Sequence, residues 1–100
     1  MEGTRRILIV GSDHVPEVCA RFLTERFETK HAHIEQLHTS DVHWSEFIIV
    51  TRSEHRRLIA HRFPSEYLLR RVVSLDIEPA QGDESKVHER LIAHGLLKHG

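Results

Sequence analysis

The sequence predicts an α/β fold: one three-layer domain, with a four-stranded parallel sheet and helices on both faces. Three observations predict it. Apolar runs of buried-strand length recur at "RRILIVG", "EFIIVT" and "RRVVSLDI". Stretches with helical spacing lie between and after them. The first run passes through a glycine and a short polar loop straight into an amphipathic segment, "ILIVGSDHVPEVCARFL" at 7–23, the layout used to hold an anion where a first strand meets a first helix. Strands that alternate with helices are joined by crossovers, which makes neighbouring strands parallel and covers both faces of the sheet.

Each element has its own signal. "RRILIVG" is the first strand, and "VPEVCARFLTERF" is a helix with Pro16 in its first turn and Val18, Cys19, Phe22, Leu23 and Phe27 along one face. "KHAHIEQL" alternates weakly and reads as the second strand. "TSDVHW" offers Ser and Thr caps for a short helix, and "EFIIVT" is the third strand. Ser53 is placed to cap a helix through "SEHRRLIAHRF", which Pro64 stops. "RRVVSLDI" is the last strand, "EPAQGDE" a loop, and Val87, Leu91 and Ile92 mark the core stripe of a closing helix.

Composition bounds the function. With 100 residues, 39% apolar and 29% charged, residues 1–100 hold one compact domain. A formal net charge of -1 gives no overall attraction to nucleic acid or an anionic membrane, so a charged partner must be met by a local patch. The single Cys leaves no internal disulfide, the chain does not open like a signal peptide, and no apolar run approaches the roughly 18 residues of a membrane span. The expectation is a reduced, cytoplasmic protein with no membrane partner.

In an open parallel sheet the ligand site lies at the carboxyl ends of the strands, where the strand order reverses; for a flavodoxin-like order this is the loop after the first strand, "GSDHVPEV". That loop carries Asp13, His14 and Glu17 and no base, which is odd for an anion site. The segments "HTSDVHWSEFIIVTRSEHRRLIAHRFP" and "RRVVSLDI" resemble a short bacterial branch of the low-molecular-weight protein tyrosine phosphatases. There, a short helix and an acid precede an apolar strand, and a basic helix ends in Phe-Pro. The resemblance spans nearly the whole chain and implies the strand order 2-1-3-4.

It also implies a reaction and a set of losses. The family's loop, C-x-G-N-x-x-R-S-P, uses a Cys thiolate to attack phosphorus, backbone N–H groups to hold the oxygens and an Arg to clamp the dianion. Aligned without gaps, the nucleophile becomes Gly11, the following residue is Ser12, the permissive Gly becomes Asp13, and the Asn becomes His14. The Arg becomes Glu17, the assisting Ser becomes Val18, and the Pro becomes Cys19. The family's general acid, an Asp after the last strand, has only Glu78 before Pro79 as its nearest substitute. A Glu about 4 Å from a phosphate costs about 4 kcal/mol per unit charge at an effective dielectric near 20, where an Arg gains a similar amount. No catalytic residue is expected, and the reading is a catalytically inactive phosphatase-like domain serving as an interaction or regulatory module. The alternative is a residual or rebuilt phosphatase or hydrolase at the same loop, around Asp13, His14, Glu17 and Glu78. The IIB carriers of sugar phosphotransferase systems share a similar sheet, but they too need a Cys at the end of the first strand.

Cys19, one turn into the first helix beside Val18, Phe22 and Leu23, reads as a core thiol. The ten His residues raise the question of metal. His31 and His33 are two apart and share one face of a strand, while His55 and His61 point to different sides of a helix. There is no C-x-x-C and no H-E-x-x-H, so no metal and no cofactor is expected, and the histidines are assigned to the surface. The remaining signal is electrostatic. Arg52, Arg56, Arg57, Arg62, Arg70 and Arg71 face only Glu54 and Glu66 between Arg52 and Arg71, while the span from Asp76 to Glu89 is mainly acidic. Such a basic face is either simply solvated or a docking surface for an acidic protein. Nucleic acid fits it less well, because exposed aromatics are not interleaved. A homodimer or a place in a larger assembly is also open.

Overall fold

A computed structural model describes residues 5–78 and 83–97. Four strands, β1 (Arg6–Gly11), β2 (Glu28–His33), β3 (Phe47–Val50) and β4 (Arg71–Ser74), form one sheet in the order β2-β1-β3-β4, with every pair parallel. The helices are α1 (Val15–Leu23), α2 (Thr39–Trp44), α3 (Ser53–Arg62), α4 (Pro64–Leu69) and α5 (Glu84–Ala93), and a 3₁₀ turn covers Ile34–Gln36. The predicted fold class and strand order are those observed.

The two-residue period of the central strands builds the layers. Ile7 and Ile9 of β1 and Ile49 of β3 pack with Val18, Cys19 and Leu23 of α1 and Val87 and Leu91 of α5. Leu8 and Val10 of β1 and Ile48 and Val50 of β3 face the other way, onto Val42 of α2, Ile59 and Phe63 at α3, and Val72 of β4. Burial on both faces is why β1 and β3 read as unbroken apolar runs.

Several boundaries differ from the sequence reading, each for a local reason. Strand β2 is an edge with only one neighbour, so its pattern is weak; Lys30 covers it by pairing with Asp41 at 3.5 Å and lying over the Trp44 ring at 4.8 Å. Helix α1 ends at Leu23, and Phe27 packs on the core from the turn beyond it. Ser53 is the first residue of α3 and does not cap it; Arg52 holds the cap position, with no side-chain cap bond. Pro64 stops α3 and also opens α4, the helix that sequence reading did not assign. The ladder of β4 stops at Ser74 because Asp76 takes a left-handed φ of 56°, while the Leu75 and Ile77 amides still donate to Val50 and Thr51 carbonyls. Most of the expected loop 78–84, namely 79–82, lies outside the described residues.

Candidate functional site

Strand β1 is central, and the chain leaves it first toward β2 and later toward β3, so the loop from Gly11 to α1 sits at the reversal of strand order. This is where the sequence placed the site. At Gly11, a Cβ atom would stand 2.7 Å from Pro16 Cγ, 3.0 Å from Pro16 Cδ and 2.8 Å from Thr51 Oγ1. The backbone there is not left-handed. Gly11 is therefore required by space, and the volume that a nucleophile's side chain needs is filled by a proline ring and a threonine.

The acid in the loop has a local role. Asp13 Oδ1 accepts the Val15 N–H at 2.8 Å, so a carboxylate of the chain itself meets the N-terminus of α1. The helix dipole and the first unpaired amides favour negative charge at that end, which is where the family resemblance seats a phosphoryl group. Glu17 lies exposed in the first turn of α1, adding a second negative charge to the same helix end. Ser12 and His14 are exposed, and Val18 is in the core. Cys19 is fully buried, and burial pushes its thiol up to about 12. A buried thiol held that high opposes formation of a thiolate at neutral pH, in keeping with the reading of Cys19 as a core residue.

Sequence reading named Asp13 but missed two further buried polar side chains, Thr51 and His55. Asp13 Oδ2, Thr51 Oγ1 and His55 Nδ1 are buried side-chain atoms without a hydrogen-bond partner. His55 is only 2% exposed, contrary to the surface assignment of the histidines. The third residue of α3, it is carried inward by the helix beginning right after Thr51, a position that composition alone did not reveal. Burial lowers its pKa below 6.5; Glu54 and Asp13 oppose the shift, and Arg52 and His33 assist it. The folded protein therefore holds His55 neutral where an unfolded chain begins to protonate it. Its contribution to stability is complete above pH 6.5 and is lost as pH falls from there through the lower folded value. Urea melts between pH 8 and 5 are expected to show the wild type losing stability more steeply than His55→Gln. Parallel pH profiles would refute this, since the other histidines are common to both proteins.

The six arginines divide into two groups. Arg62 donates to the Ile34 and Leu37 carbonyls at 2.8 and 2.9 Å, and Arg70 donates to Ser45 and His43 carbonyls at 2.8 and 2.9 Å. Arg52 pairs with Glu54 at 3.1 Å and with Glu78 at 3.6 Å, which ties the nearest substitute for a general acid to a base. Arg56, Arg57 and Arg71 are exposed and make no ion pair among the described residues. Also among the described residues, no three His, Cys, Asp or Glu side chains are grouped to hold a metal, and no helix is long and apolar enough to cross a membrane.

No protein-family model and no curated protein sequence matches the chain. The YwlE arginine phosphatase from Geobacillus stearothermophilus matches in structure, with a TM-score of 0.65 and 17% identity over 96% of this chain and 98% of that one. The chain thus has the fold of that phosphatase, with a glycine packed against a proline at the end of β1 and its own carboxylate at the head of α1.

Proposed function

We propose that this domain is a catalytically inactive phosphatase-like module that acts in the cytoplasm by binding an acidic protein partner through its exposed arginines. The observation that carries the reading is the lack of space at Gly11, where the added Cβ of any nucleophile meets Pro16 at 2.7 Å. The carboxylate of Asp13 on the Val15 amide supports it, because a phosphate would have to displace a bonded charge of its own sign. Arg56, Arg57 and Arg71, which pair with no acid among the described residues, are the charges for docking; Arg62 and Arg70 serve backbone carbonyls, and Arg52 serves two glutamates. Purified protein is expected to turn over neither para-nitrophenyl phosphate nor phosphoarginine, the substrate type suggested by the structural relative.

A second reading, a rebuilt hydrolase, is favoured by one observation: a carboxylate oxygen of Asp13, the Thr51 hydroxyl and an imidazole nitrogen of His55 are each buried without a hydrogen-bond partner. Against it, Thr51 is 0% exposed, so a substrate cannot reach that hydroxyl without opening the fold. The same assay separates the two. Turnover that survives purification and disappears in Asp13→Asn or His55→Gln would establish the hydrolase and end the inactive reading.

A further inference from the structure

The sheet ends at β4, where Val72 and Ser74 are 8% and 9% exposed and have no backbone partner on their outer side among the described residues, and a basic groove runs along them. The Leu75 N–H bonds to the Val50 carbonyl, and Ser74 stands opposite Val50. In a parallel ladder this sets the alternation: Arg71, Val73 and Leu75 bond toward β3, and the amides and carbonyls of Val72 and Ser74 turn outward. Among the described residues, no backbone bond from outside the sheet reaches them. A groove follows this edge, with Arg56 of α3 on one side and Arg71 and His94 on the other. At Arg71 and His94 it meets a hollow of about 250 Å³ that has Phe27 and Phe47 in its wall and two more bases, Arg5 and Arg26. Immediately before Arg70 and β4, Leu68 and Leu69 are 82% and 80% exposed.

We infer that β4 is a docking edge that takes an extended, acidic peptide segment of a partner protein as a fifth strand of the sheet. An unpaired edge supplies main-chain hydrogen bonds to any extended chain, and the flanking side chains decide which chain binds. Bases stand on both sides of the groove, with Asp76 the one acid lining it among the described residues, so an acidic segment is complementary. A second copy is less complementary, because β4 against β4 would bring two sets of the same bases, Arg56 and Arg71, into one seam. The exposed leucines offer an apolar contact at the start of the strand. This inference rests on the reading of the domain as a binding module and names the chemistry of what it binds.

The test titrates the isotope-labelled protein with a capped peptide of alternating glutamate and valine that ends in leucine, following amide signals by NMR. Expected are saturable shifts at Val72 and Ser74 with slowed amide exchange. Binding should weaken at least tenfold when alternate peptide amides are N-methylated, and likewise in Arg56→Glu with Arg71→Glu. N-methylation leaves the protein untouched, so folding of the variant does not confound the result. Shifts confined to other residues, equal binding of the methylated peptide or of a lysine–valine peptide, or a β4-mediated dimer in sedimentation would each overturn the inference. If the edge fails while phosphatase assays stay blank, only the docking edge falls. If turnover appears while the edge binds, only the inactive reading falls.

Discussion

Gly11→Cys is expected to lower the stability of the fold by about 2–4 kcal/mol and to create no phosphatase. The new Cβ would meet Pro16 Cγ at 2.7 Å and Thr51 Oγ1 at 2.8 Å, and neither can recede cheaply. Pro16 is fixed in the first turn of α1 by its ring. Thr51 is fully buried, with its amide on the Val10 carbonyl and its carbonyl on the Ile77 amide. Adding Glu17→Arg supplies a base at the helix end but leaves both the clash and the Asp13 carboxylate in place, so calorimetric titration of the double variant with phosphate should give no binding heat. Gly11→Ala isolates the steric part. Its cost should shrink by at least about 1 kcal/mol in a Pro16→Ala background, the coupling expected of two groups in contact. If Gly11→Ala unfolds within about 0.5 kcal/mol of the wild type, the loop moves aside freely and Gly11 is not required by space.

That result would separate the effect of side-chain identity at the loop from the effect of space, and only side-chain identity is legible in the sequence. Once the phosphatase resemblance is seen, Gly11 and Glu17 stand at the positions where it implies a nucleophile and a clamp. The filling of the vacated volume is not legible, because it depends on how Pro16 and Thr51, 35 positions apart in the chain, meet across the end of the sheet. The role of Asp13 was more accessible: an acid two residues before the first helical residue is a common way to hold a helix amide. Strands β1 and β3 were legible because burial on two faces makes continuous apolar runs, and β4 by its β-branched pair Val72 and Val73, whereas edge strand β2 and helix α4 were weak or absent. Pro64 ends one helix and starts another, and a single proline in sequence does not distinguish the two events. His55 was hidden for a similar reason. It sits among Glu54, Arg56 and Arg57 in a segment that is charged on average, yet its own position on the turn faces inward.

Arg70→Ala is expected to cost about 2–3 kcal/mol, and Arg62→Ala about 1–3 kcal/mol, although both residues belong to a stretch that reads as a solvated basic face. Arg70 reaches from the start of β4 to the end of α2, where Nε donates to the Ser45 carbonyl at 2.8 Å and Nη2 to the His43 carbonyl at 2.9 Å. Arg62 joins the end of α3 to the turn after β2 in the same two-pronged manner, through Ile34 and Leu37. Removing either guanidinium strips two carbonyls of a charged donor, and the planar fork that spans both at once is not reproduced by an ammonium. Arg70→Lys should therefore recover only part of the loss. For a domain of this size, 2–3 kcal/mol corresponds to a fall in melting temperature of roughly 10–20 °C, easily seen by calorimetry. Arg56→Ala and Arg57→Ala, which remove no hydrogen bond to a carbonyl among the described residues, should stay within about 0.5 kcal/mol of the wild type. If all four variants melt together, the carbonyl bonds carry no stability and every arginine in the segment is available to a partner. If they separate as expected, lost binding in an Arg62 or Arg70 variant reports a damaged fold, and only Arg56, Arg57 and Arg71 report on docking.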